Sequence, residues 1–158
     1  MRAGDRNEGE MAPGVRLDDF LPYLLNRIVN RLNMALAEDL KAIGATVPEY
    51  RVLAVLMARD GRSVNELSVY TVIEQSTLSK LLLRMESSGL IARHNDASDG
   101  RVVNVYLTDA GRAVFAKVLP AALEHYRTAI RGLDEAERAL LVRTLHRVLD
   151  NVRVSPFP

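Results

Sequence analysis

The sequence predicts a mainly α fold carrying one small β-hairpin, and three observations support this. Apolar residues recur at helical spacing over most of the 158 residues. Gly44, Gly61 and Gly89 fall where three of those helical patterns stop. The stretch "SDGRVVNVYL" at 98–107 breaks the period, with Val103, Val105 and Leu107 alternating with Val102, Asn104 and Tyr106 behind a charged Asp-Gly turn.

Residues 1–16 mix Gly, Pro and both signs of charge without apolar periodicity and read as a mobile tail. From Asp18, an N-cap candidate with Pro22 in the first turn, Leu21, Leu24, Leu25, Ile28, Leu32 and Leu36 define a long first helix that lasts until Gly44. "VPEYRVLAVLMARDG" opens with Pro48, places Leu53 and Leu56 on an apolar face and stops at Gly61. Two helices follow in close succession, "SVNELSVY" and the segment "TVIEQSTLSKLLLRMESSGLI", whose Leu78, Leu81, Leu82 and Met85 face a core. The start of the second is open: Thr71 and Glu74 have capping-box spacing, and Glu74 could itself be the cap. "LIARHN" and "RVVNVYL" flank "DASDG" as a hairpin. Thr108 is placed to cap a helix from Asp109 to about Arg131, with a kink or break expected at Pro120. "LDEAERALLVRTLHRVLDNV" is a last helix, with Asp134 and Glu137 at capping-box spacing and Leu140, Leu141, Leu145, Val148 and Leu149 on its apolar face.

Composition limits what such a chain can do. With 48% hydrophobic and 26% charged residues, a single domain over 17–152 is expected, followed by a short tail at 153–158. The longest wholly apolar run, Val52 to Ala58, is too short to span a bilayer, and "MRAGDRNEGE" has no secretory character, so a cytoplasmic location is expected. The absence of cysteine excludes disulfides, thiol nucleophiles, thiol redox switches and thiolate metal sites. His94, His125 and His146 are too dispersed to predict a metal site, and no cofactor motif is present. Asp109, Asp134, Glu135 and Glu137 read as helix N-terminal charges rather than catalytic carboxylates, and no enzyme motif stands out. The net charge of +1 is uninformative, because a basic surface can coexist with an acidic remainder.

Two closely joined helices followed by a hairpin is the order of a winged helix-turn-helix, in which the second helix enters the major groove of DNA and the hairpin reaches along the backbone. The second helix offers Gln75, Ser76 and Thr77 as hydrogen-bonding side chains at its N-terminal end, with Lys80 and Arg84 a turn apart beyond them. Arg101, beside Gly100 at the hairpin tip, is a long cation on a slender turn, a form that suits a narrow minor groove. Taken singly, Lys80 and Arg84 could be a solvated helix face, and Asp99 and Arg101 could merely close a turn. Their joint occurrence in the winged-helix order favours DNA.

"QSTLSKLLLRMESSGLIAR" followed by "SDGRVVNVYLTDAGR" resembles the MarR (multiple antibiotic resistance regulator) family of winged-helix regulators, whose wing carries Asp-x-Arg, a strand, and Leu-Thr-x-x-Gly-Arg. The resemblance runs from about Asp18 to Val152. It implies a homodimer joined through helices at 17–44 and 109–152, with a DNA-binding part at 46–108 on a pseudo-palindromic double-stranded DNA operator. By that match Asp99 orients Arg101, Arg101 enters the minor groove, and Ser76, Thr77, Lys80 and Arg84 face the major groove. Repression is the commoner behaviour of the family, often relieved by a small anionic or phenolic ligand. Three departures are visible: Lys80 stands where Arg is most frequent, Gly100 where a second Arg is common, and Thr71 where an apolar residue is usual. The lack of cysteine also rules out peroxide sensing through thiol oxidation.

The physical pattern supports a dimer as well, since the terminal helices carry more Leu, Ile and Val than a small winged domain can bury. In the first helix, Asn26, Asn30 and Asn33 recur at helical spacing beside Tyr23 and Arg27. This stripe could hold an aromatic or phenolic acid, or its CoA ester, or could simply be a solvent face or an interface ladder. The alternative expectation is a winged-helix module for nucleoid packaging or protein contact without an effector.

Overall fold

The computed structural model describes residues 10–153. A short antiparallel ribbon, β1 (Glu10–Ala12) and β2 (Val15–Arg16), turns at Gly14 within the segment expected to be a tail, and none of its residues is buried. Residues 1–9 and 154–158 of the two expected tails lie outside the described residues. A 3₁₀ turn, Leu17–Asp19, leads into α1 (Leu21–Lys41). Asp18 does not cap that helix. It sits inside the turn and faces Arg27 at 3.9 Å, while Phe20 takes the N-cap position with no side-chain hydrogen bond. Pro22 in the first turn lessens the need for a cap, because one of the unpaired N–H groups is already gone. The helix stops at Lys41, three residues short of Gly44, whose φ of 70° turns the chain.

α2 (Val47–Ala58) starts at a full capping box of Thr46 and Glu49. Next comes β3 (Arg62–Ser63), then α3 (Val64–Thr71), capped by Ser63 and Glu66 in the same manner. Thr71 is buried and donates its hydroxyl to the Leu67 carbonyl at 2.6 Å, so a polar residue is tolerated inside the core. α4 (Gln75–Ser87) is capped by Glu74 rather than Thr71. β4 (Ile91–Asn95) and β5 (Val103–Leu107) form the expected hairpin, and β3 pairs with the other side of β5 to make a three-stranded antiparallel sheet in the order β3-β5-β4.

α5 (Asp109–Ala129) continues through Pro120 without the local break that was one of the two expectations there, and ends two residues before Arg131. Both Pro120 and Ala116 are exposed, so water can take the carbonyl that lacks its N–H partner. α6 (Glu135–Val152) starts at the Asp134 and Glu137 capping box.

The main core lies between α2, α3, α4 and the sheet: Leu53, Leu56, Leu67, Leu78, Leu82, Met85, Ile91 and Val105 are buried there. A second cluster of Leu36, Leu40 and Val118 joins α1 to α5, with Tyr50 stacked on Phe115 at 5.8 Å between the two clusters. Burial pushes the Tyr50 hydroxyl above its ordinary pKa. None of the residues of α6 is buried, and Leu140, Leu141, Val142 and Leu149 are exposed, as are Leu21, Leu24 and Ile28 of α1.

Candidate nucleic-acid interface

The sequence around Glu74 organises the head of α4. Its carboxylate accepts the N–H groups of Ser76 at 3.0 Å and Thr77 at 3.1 Å, and it also accepts the Ser76 hydroxyl. These bonds, the Ser76 hydroxyl foremost and then the two N–H groups, hold the Glu74 carboxyl down at about 2. Gln75, Ser76, Thr77, Lys80 and Arg84 are all exposed, while Leu78, Leu81, Leu82 and Met85 turn to the core on the opposite side. The helix therefore presents one polar and basic face to solvent. Gln75 Nε2 donates to Asn65 Oδ1 at 2.8 Å, which couples the heads of α3 and α4.

The wing tip is built by Asp96, which the sequence reading passed over. It accepts the Ser98 N–H at 2.8 Å, the Ser98 hydroxyl at 2.5 Å, the Asp99 N–H at 3.2 Å and Asn104 Nδ2 at 2.9 Å. Those bonds, led by the Ser98 hydroxyl, hold its carboxyl at about 2. An Asp followed two residues later by Ser in a loop was the available signal, because Asx turns use that spacing. Asp99 accepts both the backbone N–H and Nε of Arg101 at 3.0 Å, with Nη2 at 3.2 Å from its second oxygen. This side-on pairing keeps the Asp99 carboxyl below its usual range and holds an Arg101 side chain that is 92% exposed. Ser63, Asn65, Gln75 and Arg101 rim a groove of about 370 Å³ between the helix pair and the wing.

Two further contacts fix the wing against the helices. Arg93 on β4 donates through Nε at 2.9 Å and Nη2 at 2.6 Å to Glu86 on α4. Thr108 caps α5 through the Gly111 N–H and donates its hydroxyl to the Gly89 carbonyl at 2.6 Å, which joins the end of α4 to the start of α5.

The residues proposed from sequence for an effector are only partly brought together. Tyr23 lies under the Arg27 guanidinium at 5.4 Å, and Arg27 borders an apolar groove of about 520 Å³ between α1 and α5, together with Arg31, Ile28, Leu32 and His125. Tyr23, Asn26 and Asn30 do not line it. Asn30 Nδ2 donates to Asn26 Oδ1 at 3.1 Å on the exposed side of α1, because a step of 100° per residue sets both amides opposite Ile28 and Ala35, which line the groove. Asn33 instead lines a smaller hollow of about 190 Å³ with Leu36, Tyr50 and His125, whose Nε2 lies 2.6 Å from Asp39 Oδ2. Among the described residues, no three His, Asp or Glu side chains converge on a metal-sized site, and no helix is long and apolar enough to cross a membrane.

A helix pair, an exposed polar and basic helix face, and a hairpin tipped by an oriented arginine define a winged helix-turn-helix DNA-binding protein. Residues 43–102 match the model of the MarR family. The chain is 30% identical over 151 residues to the HTH-type transcriptional repressor IacR of Pseudomonas putida, covering 96% of this chain and 90% of that one. It is also similar to a crystal structure of a MarR family transcriptional regulator from Silicibacter pomeroyi, with 35% identity, a TM-score of 0.86, and 94% and 100% of the two chains covered. A second similar structure, at 27% identity and a TM-score of 0.70 over 81% of this chain and 97% of the other, is that of Bordetella bronchiseptica BpsR, whose DNA binding is regulated by 6-hydroxynicotinic acid. The chain belongs to the MarR family of DNA-binding transcriptional regulators. The relatives from Pseudomonas putida and Silicibacter pomeroyi are both transcriptional regulators.

Proposed function

We propose that this protein is a ligand-responsive repressor that binds a pseudo-palindromic operator as a homodimer in the cytoplasm. One observation carries the DNA reading: the only face of α4 turned to solvent bears Gln75, Ser76, Thr77, Lys80 and Arg84, and the Asp99-held Arg101 shares a groove with the head of that helix. In this reading the α4 side chains meet base edges and phosphates in the major groove, and Arg101 enters the adjacent minor groove. Asp99 positions Arg101. The dimer is supported by α6, an amphipathic helix with no buried residue, and by the exposed apolar stripe of α1.

A small anionic aromatic effector fits the α1–α5 groove, where Arg27, Arg31 and His125 offer cationic or hydrogen-bonding groups beside an apolar wall. The ligand regulation of BpsR supports this class. A ligand there would change the spacing of two recognition helices that must match half-sites one DNA turn apart.

Fluorescence anisotropy on the DNA upstream of its own gene, against a scrambled duplex at two salt concentrations, tests the DNA reading. Lys80→Ala and Arg101→Ala should each weaken specific binding by about 1–3 kcal/mol per lost contact. Arg101→Ala should also reduce the slope of log affinity against log salt by about 1 per half-site. Equal, steeply salt-dependent binding to both duplexes would favour a packaging protein. Calorimetric titration with benzoates, hydroxycinnamates and their CoA esters tests the effector, and a flat response to all of them removes it.

A further inference from the structure

The geometry points to Leu83 as a base-reading residue that contacts the 5-methyl group of a thymine in the major groove; the inference rests on the DNA-binding reading above. Leu83 is 54% exposed, whereas Leu78, Leu81, Leu82 and Met85, the other large apolar side chains of α4, are buried. At 3.6 residues per turn it stands within about 20° of Ser76 around the helix axis and about 60° from Lys80, with Arg84 next in the chain. It therefore lies on the midline of the face that meets DNA, opposite the core.

When Ser76, Ser79, Lys80 and Arg84 engage a duplex, Leu83, which lies between Ser79 and Ser76 around the axis, loses its contact with water. What it then faces must be apolar. Nearly every group on the major-groove edges is a hydrogen-bond donor or acceptor, and covering one with an isobutyl group strips its water without returning a hydrogen bond. The thymine methyl is the main exception, the other apolar feature of those edges being the much smaller C5–H of cytosine. A leucine on an ordinary solvent face needs no explanation, but one flanked by the helix's cations and hydrogen-bonders becomes buried on binding and so contributes to the choice of base.

Replacing thymine by deoxyuridine removes that methyl and alters no hydrogen bond, so it isolates the contact. The probe is a duplex selected by the full-length protein from a randomised library, then resynthesised with each thymine of a half-site replaced in turn. At one position the replacement should weaken wild-type binding about threefold to fivefold per half-site, the effect of burying roughly one methyl group. Leu83→Ala should bind the two duplexes equally at that position while matching the wild type in thermal unfolding. Leu83→Met, which keeps an apolar reach, should retain the penalty.

The inference is overturned if every thymine gives the same penalty in wild type and Leu83→Ala, or if no thymine gives one. Lys80→Ala and Arg101→Ala, run on the same duplexes, separate the two readings. If they lose binding while no thymine depends on Leu83, only the role of Leu83 falls. If they bind as the wild type does, or if selection enriches no sequence, the DNA-reading assignment falls with it.

Discussion

Arg112 on α5 donates through Nη2 to Asp60 Oδ2 at 2.5 Å, bridging 52 residues of sequence. The other Asp60 oxygen accepts the N–H groups of Leu107 at 2.9 Å and Gly61 at 3.2 Å. One carboxylate thus ties together the end of α2, the central strand of the wing sheet and the first turn of α5. Since α5 also packs on α1, this junction is one of the places, beside the contacts of α2 with α1 and α5, where the long helices meet the winged part.

Asp60→Ala should therefore cost about 1–3 kcal/mol in urea unfolding, because it leaves the part-buried Leu107 N–H without an acceptor. Arg112→Ala should cost less, about 0.5–1 kcal/mol, since the Arg112 side chain is half exposed and its pairing is screened by water. Equal losses for the two variants would show that the ion pair, not the backbone hydrogen bond, dominates.

Gly111→Ala should lower thermal stability more than an ordinary helix substitution. A Cβ at Gly111 would lie 2.1 Å from the Leu90 carbonyl oxygen, so the start of α5 would have to move off the loop that ends α4. Overpacking of this kind costs about 1–3 kcal/mol, which outweighs alanine's better helix propensity. An unchanged melting temperature would show that this junction yields without penalty.

Acid should loosen the head of α4 and the wing tip together. Glu74 and Asp96, with ordinary values of 4.5 and 3.8, both titrate at about 2 in the folded protein. A carboxyl whose pKa is lowered by folding contributes stability that is fully present above its unfolded value and lost as pH falls through the folded one. The window thus runs from about pH 4.5 down to about 2. Carboxyl-carbon NMR should find both midpoints near 2, and Ser98→Ala should raise that of Asp96. Midpoints at the ordinary values would mean that these hydrogen bonds do not persist in solution.

Leu141→Glu combined with Leu149→Glu should convert a dimer to a monomer in sedimentation velocity without unfolding the winged part. Neither side chain is buried within the chain, so the substitution removes an apolar surface rather than a core. A dimer unchanged in the double variant would move the interface off α6.

The elements were legible in the sequence because their causes are local. The caps at Thr108 and Asp134, the stop glycines at 44, 61 and 89, the 3.6-residue period of the helices and the alternation over 103–107 each act within a few residues of one another, whereas the capping boxes at Thr46 and Ser63 went unread. The winged order, and with it the exposed face of α4, followed from those elements taken in sequence, whereas the Asp99–Arg101 pair was implied only by the resemblance to the MarR family. Tertiary structure decided what depends on distant partners. β3, only two residues long, exists because β5 passes beside it. The Asp60–Arg112 clamp and the Glu86–Arg93 pair join segments that no periodicity relates. The amide stripe of α1 read as a solvent face or interface ladder more readily than as a pocket, and the packing of α5 turns Ile28 and Arg31 toward the groove and leaves Asn26 and Asn30 outside it. Periodicity sets which residues share a face of a helix, and only the neighbouring element decides which face it covers.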